Sequence, residues 1–140
     1  MPKSLDLARV LLVDDEVASR LTLQTILQAG GYNVDVAASA AEAFSKLDEG
    51  EYELVLSEAE MESPESGWRV LSYARVKEYR PATALVTAYK EAKAFRYPVG
   101  DEQQVSINTE NVSTLLGQVA DLIGMRAQRR ANRVIARLVQ

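Results

Sequence analysis

Residues 10–16, Val10-Leu11-Leu12-Val13-Asp14-Asp15-Glu16, decide the fold. A short unbroken apolar run suits a strand buried on both faces of a parallel sheet, and the acids end it. Downstream, Val17 with Leu21, and Leu23 with Ile26 and Leu27, recur at helical spacings and stop at Gly30-Gly31, a natural C-terminal cap. Tyr32 to Ala37 alternates as a second strand with Val34 and Val36 inward. Ser39-Ala40-Ala41-Glu42 then forms a capping box opening a helix through Phe44 and Leu47, closed by Gly50. Leu54-Val55-Leu56 is a third strand, followed by a polar, acidic loop from Ser57 through Ser66, broken by Pro64 and Gly67. Trp68, Leu71 and Val76 ride on a helix that ends before Pro81, because a residue preceding proline resists helical dihedrals. Ala84-Leu85-Val86 makes a fourth strand ending at Thr87. Residues 88–95 suit a short helix, 97–101 a turn, and Val105 with Ile107 a weak fifth strand. A long helix then starts between Thr109 and Asn111 and turns Leu115, Leu116, Val119, Leu122 and Ile123 to the core.

Strand and helix thus alternate five times. That pattern predicts a three-layer α/β domain: a doubly wound, five-stranded parallel sheet with right-handed crossovers, helices on both faces and an extended C-terminal helix. Functional residues of such sheets gather where the C-terminal strand ends open into loops. Asp14, Asp15, Ser57, Glu58, Thr87 and Asn108 all fall there.

The 140 residues contain neither cysteine nor histidine. Disulfides, thiolate or imidazole metal sites and Cys or His nucleophiles are therefore excluded, and chemistry must run on carboxylates, hydroxyls, amides, Lys and Arg. No apolar run approaches the roughly 18 residues of a membrane helix, and residues 1–8 lack a signal-peptide core, so a cytoplasmic protein is expected. The net charge of −4 is unevenly placed: Arg126, Arg129, Arg130, Arg133 and Arg137 sit in the last fifteen residues with no acid among them. Nine acids lie between Glu42 and Glu65 against one Lys46, so that side should repel nucleic acid and suit a cation or a basic partner. The organisation expected is a globular acidic domain over 1–125 and a basic helical extension over 126–140.

Two carboxylates after the first strand and a third after the third strand suit a hard divalent cation such as Mg²⁺, which takes oxygen ligands. With its Leu11-Leu12-Val13-Asp14-Asp15-Glu16 start, the chain resembles the receiver domain of bacterial two-component response regulators over residues 8 to about 124. The resemblance implies a flavodoxin-like fold and a Mg²⁺ held by Asp14, Asp15, the third-strand acid Glu58 and the backbone carbonyl of Glu60. Glu58 takes the place of the phosphoaccepting Asp. Thr87, Val105 and Asn108 take the places of the switch hydroxyl, the switch aromatic and the invariant lysine.

The departures bear on function. Glu58 carries its carboxylate one methylene farther out, which misplaces an in-line attack. Neutral Asn108 supplies no cation for developing phosphoryl charge. Thr109 replaces a proline, and the loop before Gly67 carries one extra residue. The expectation is a receiver-like signalling domain, not an enzyme, that binds Mg²⁺ weakly and works through protein contacts without the usual phosphotransfer. A working phosphoacceptor, or a small Mg²⁺-dependent phosphohydrolase, is the alternative. Plainer roles stand beside these: Asp14 as the N-cap of the first helix, Glu58 as a solvated loop acid, Thr87 as a local hydroxyl donor. Receivers commonly signal and dimerise through the face made by their fourth helix, fifth strand and last helix. A protein partner or a second copy is therefore expected there, contacting Arg126, Arg129, Arg130, Arg133, Val134, Ile135 and Leu138, with no nucleic acid, membrane or small-molecule substrate involved.

Overall fold

The computed structural model describes residues 8–87, 106–108 and 111–139. Strands β1 (Arg9–Val13), β2 (Asn33–Ala37), β3 (Leu54–Glu58), β4 (Ala82–Thr87) and β5 (Ser106–Asn108) form one sheet in the order β2-β1-β3-β4-β5. Every pairing is parallel. Helices α1 (Val17–Ala29), α2 (Ala40–Glu49), α3 (Ser66–Arg75) and α4 (Val112–Leu138) complete the described elements. The predicted helix over 88–95, the turn over 97–101 and Val105 lie outside the described residues.

The unbroken apolar strands are buried on both sides, as their composition requires. Val10, Leu12, Leu54, Leu56 and Ala84 pack with Leu23 and Leu27 of α1 and Leu115 and Val119 of α4. Leu11, Val13, Val55 and Leu85, one residue out of phase, pack with Ala43 and Leu47 of α2 and Val70 and Leu71 of α3. Each of the leucines with no exposed surface contributes about 2 kcal/mol of transfer free energy, which drives the three-layer arrangement.

Local chemistry fixes the element ends. The Ser39 hydroxyl accepts from the Glu42 N–H at 3.1 Å, and Glu42 reaches back to the Ala38 N–H at 2.8 Å, the reciprocal pairing of a capping box shifted by one residue. Gly67 permits the closest backbone approach: a Cβ there would lie 2.1 Å from the Glu58 carbonyl oxygen, so only glycine lets α3 start against the end of β3. Its N–H donates to the Ala59 carbonyl at 2.8 Å. At the Asn111 cap of α4, the side chain accepts from the Thr114 N–H.

Two expectations about packing are corrected. Val17 and Leu21 are 57% and 54% exposed, because at 3.6 residues per turn they lie on a different face of α1 from Leu23 and Leu27. Val76 is 77% exposed, since α3 ends at Arg75 and Val76 is its C-cap, past the core-facing stripe. The basic segment expected as a helical extension from 126 is the C-terminal part of α4, which runs unbroken to Leu138.

Candidate functional site

β1 lies between β2 and β3, so its crossover leads to one side of the sheet and that of β2 to the other. The crevice this creates opens at the C-terminal ends of β1 and β3, which the register places side by side through Val13 and Ser57. Asp14 follows β1 and Glu58 closes β3 at this edge.

Asp14 is only 2% exposed, and the turn into α1 engages it fully. Its N–H donates to the Ala37 carbonyl at 3.0 Å, tying the turn to β2. One carboxylate oxygen accepts the Glu16 N–H at 3.0 Å, and the other accepts the Ser19 hydroxyl at 2.6 Å. Arg20 donates to the Asp14 carbonyl at 2.9 Å. Glu16, the residue at the cap position, makes no side-chain cap bond, so Asp14 does the capping of α1 from two residues upstream. Asp15 and Glu60 are exposed and Glu58 is half-buried, with the Ser57 hydroxyl donating to the Glu58 carbonyl at 2.9 Å.

Among the described residues no group of three or more Asp or Glu side chains is placed to hold a metal ion. The expected convergence of Asp14, Asp15 and Glu58, with the Glu60 carbonyl, on a Mg²⁺ is thus not formed. Both Asp14 oxygens are drawn onto the start of α1, and Asp15 stands at the surface. The donor set of the described residues fits such a cation poorly.

The acidic loop after β3 is also tied down, at a point the sequence did not announce. The Glu62 carboxylate accepts the Ala40 N–H at 2.9 Å, at the positive end of α2. Burial pushes the Glu62 carboxyl up, but the N–H groups of Ala40 and of Glu62 itself and the Ser66 hydroxyl outweigh it and hold the group below its ordinary range. Ser63 and Ser66 close the rest of the loop on each other: the Ser63 N–H donates to the Ser66 hydroxyl at 2.8 Å, and that hydroxyl donates to the Ser63 carbonyl at 2.9 Å. Of the predicted switch residues, Thr87 and Asn108 are register partners at the ends of β4 and β5, on the same sheet edge. Val105 lies outside the described residues.

The basic end divides in two. Arg126 is bound to the body: its guanidinium donates to the Tyr79 carbonyl at 2.7 Å and the Arg80 carbonyl at 3.0 Å, across the turn between α3 and β4. Burial, and then Arg130, press its pKa down. Arg80 itself has φ 46°, the left-handed region, where Pro81 follows it. Farther along α4, Arg129 and Arg130 are exposed and Arg133 half-exposed, and Val134, Ile135 and Leu138 are 51%, 56% and 78% exposed. Among the described residues no helix is long and apolar enough to cross a membrane.

Comparison with known proteins adds the family. A model of the response regulator receiver domain matches residues 10–98. No curated protein matches. Among solved structures, the response regulator TrrA from Thermotoga maritima, in complex with Mg(2+)-BeF, is 32% identical, with 81% of this chain and 97% of that one covered at a TM-score of 0.67. A response regulator receiver protein from Sinorhizobium medicae WSM419 is 23% identical over 88% of this chain and 99% of its own, at a TM-score of 0.70. The receiver domain of the hybrid histidine kinase CckA is 24% identical over 82% and 98%, at 0.66.

Proposed function

Since the chain belongs to the response regulator receiver family, we propose that it is a receiver whose signalling state is set by protein contacts and not by phosphotransfer. The observation that carries this reading is Asp14. Its carboxylate, which the family resemblance assigns to a metal, here accepts the Glu16 N–H and the Ser19 hydroxyl inside the turn. A cation would have to share oxygens that these bonds, each of about 1.5–3 kcal/mol for a charged acceptor, already aim at the start of α1. Glu58 in the acceptor position and Asn108 in the lysine position weaken the same chemistry from two other strands. The chain acts as a signalling module and not as an enzyme, and Mg²⁺ binds it weakly. TrrA, with its Mg(2+)-BeF, favours the second reading, a working acceptor at Glu58.

The contact surface proposed is the exposed apolar stripe of α4, Val134, Ile135 and Leu138, flanked by Arg129, Arg130 and Arg133. These apolar side chains leave water only against another chain, a protein partner or a second copy. The experiment is sedimentation of the full chain beside an Ile135→Asp, Leu138→Asp variant. Self-association or partner capture should be lost while the cooperative melt is retained, because Leu115, Val119 and Leu122 already complete the core-facing part of α4. Association unchanged in the variant would overturn the surface. A calorimetric Mg²⁺ titration should saturate only in the millimolar range or above, and a micromolar site abolished by Asp14→Asn would favour the second reading instead.

A further inference from the structure

Three arginines of α4, with Arg80 from the turn after α3, line a groove. It has a volume of about 320 Å³ and lies between the C-terminal half of α4 and the turn after α3, lined by Glu78, Arg80, Arg130, Arg133, Val134 and Arg137. Four guanidinium groups and one carboxylate give the lining a charge of +3 (four less one). The ion pairs of the described residues are Arg9–Asp35 and Lys77–Asp48, so among the described residues no carboxylate pairs with any of the four arginines. Burial and then the charges of Arg80, Arg130, Arg129 and Arg137 press the Arg133 guanidinium below its ordinary range, a mark of like charges crowded together.

The groove is held in shape from beneath. Arg80 sits in a left-handed backbone conformation that a non-glycine residue adopts only where its surroundings hold it there. Arg126 supplies that hold by binding the carbonyls of Tyr79 and Arg80, and Arg130 leans toward the Tyr79 carbonyl at 3.5 Å. One arginine wall thus comes from the α3–β4 turn and the other from α4, and they face each other across a concavity instead of spreading over a flat surface.

We infer that this groove binds a small phosphate polyanion of the diphosphate class as a ligand; Arg130, Arg133 and Val134 also border the contact surface proposed above, so the ligand and a docked partner compete for them. Guanidinium forks match phosphate oxygens two bonds at a time, and a lone carboxylate, with a single negative charge, leaves more of the lining's charge unbalanced. A single phosphate group carries about −2 at neutral pH and leaves the lining positive, whereas two linked groups carry about −3 and balance it. A concave site of this size also suits a small ligand better than a protein face or a nucleic-acid duplex, which need an extended surface.

The test is calorimetric titration of the full chain with diphosphate, orthophosphate and a short DNA duplex at fixed salt. Diphosphate should bind at one site, about tenfold more tightly than orthophosphate, as an added charge-assisted pair would give. Arg133→Gln should weaken diphosphate by about tenfold or more, while Arg129→Gln, which removes the same charge from the same helix outside the groove, should change it by less than about twofold. Thermal melting checks that each variant folds, and Arg80→Gln serves in place of Arg133→Gln if that one does not. Absence of diphosphate binding overturns the inference. So does an equal loss in Arg129→Gln, which would mean a diffuse field, or binding of the duplex alone, which would mean a nucleic-acid surface.

Discussion

Asp14 and Arg133 stand at the two most highly charged ends of this molecule, and their surroundings differ in kind. Each polar group of Asp14 itself finds a protein partner: the carboxylate holds α1, the N–H holds β2 and the carbonyl receives Arg20. Around Arg133 lie four more arginines, Arg80, Arg130, Arg129 and Arg137, and the carboxylate nearest in the groove, Glu78, is paired with none of them. The acidic end thus has its charge committed to folding, and the basic end has charge left for a ligand. Composition alone gives these ends equal standing as candidate sites. Hydrogen-bond partners separate them.

Substitutions that probe the two ends should therefore differ in what they change. The largest effect is expected from Gly67→Ala at the acidic end. A methyl group 2.1 Å from the Glu58 carbonyl cannot be accommodated without moving α3 off β3. A loss of about 3 kcal/mol or more is expected in urea titrations, beyond an ordinary overpacking penalty. Next comes Asp14→Ala, which strands the Glu16 N–H and the Ser19 hydroxyl and should cost about 2 kcal/mol. A neutral or stabilising result would mean that the carboxylate is held for a metal after all.

Arg126→Gln and Arg133→Gln sharpen the contrast within one helix. The first loses two charge-assisted bonds to the Tyr79 and Arg80 carbonyls and should lower stability by about 1 kcal/mol. The second removes a charge that only its like neighbours feel, and its melting temperature should be unchanged or slightly raised. Asp15→Asn, at an exposed position, should move stability by less than about 0.5 kcal/mol. Smallest is the effect of Glu62. Its folded pKa lies below the ordinary value of 4.5, so its contribution is present above that pH and is lost as the pH falls through the folded value. Wild type and Glu62→Gln should differ by a few tenths of a kcal/mol at neutral pH, given the group's exposure, and converge in acid-denaturation curves once the pH has fallen through the folded value.

The fold was legible because its signals are local. Leu11 and Leu12 point to opposite layers simply by adjacency in a strand, Ser39 and Glu42 cap a helix three residues apart, and Gly67 ends a loop beside its own strand. The site was legible only as a place. An acid after a buried strand is written the same way whether it binds a cation or caps the next helix, and only the positions of Glu16 and Ser19 distinguish the two uses of Asp14. Glu62 meets α2 22 residues upstream, and Arg126 meets the turn after α3 47 residues upstream. Contacts of that range leave no spacing in the sequence to read, and nothing there sets Arg126 apart from the arginines that follow it. The groove around Arg133 was hidden for the same reason, because Arg80 belongs to a different element.

The most direct measurement is the mass of the intact 140-residue chain after incubation with Mg²⁺ and a small-molecule phosphodonor. With Asp14 committed to α1, Glu58 in the acceptor position and Asn108 in place of the lysine, the mass should remain that of the unmodified protein, and no excess phosphate should be released. Addition of one phosphoryl mass that disappears in Glu58→Gln would contradict a receiver set by contacts and restore the phosphorylated switch.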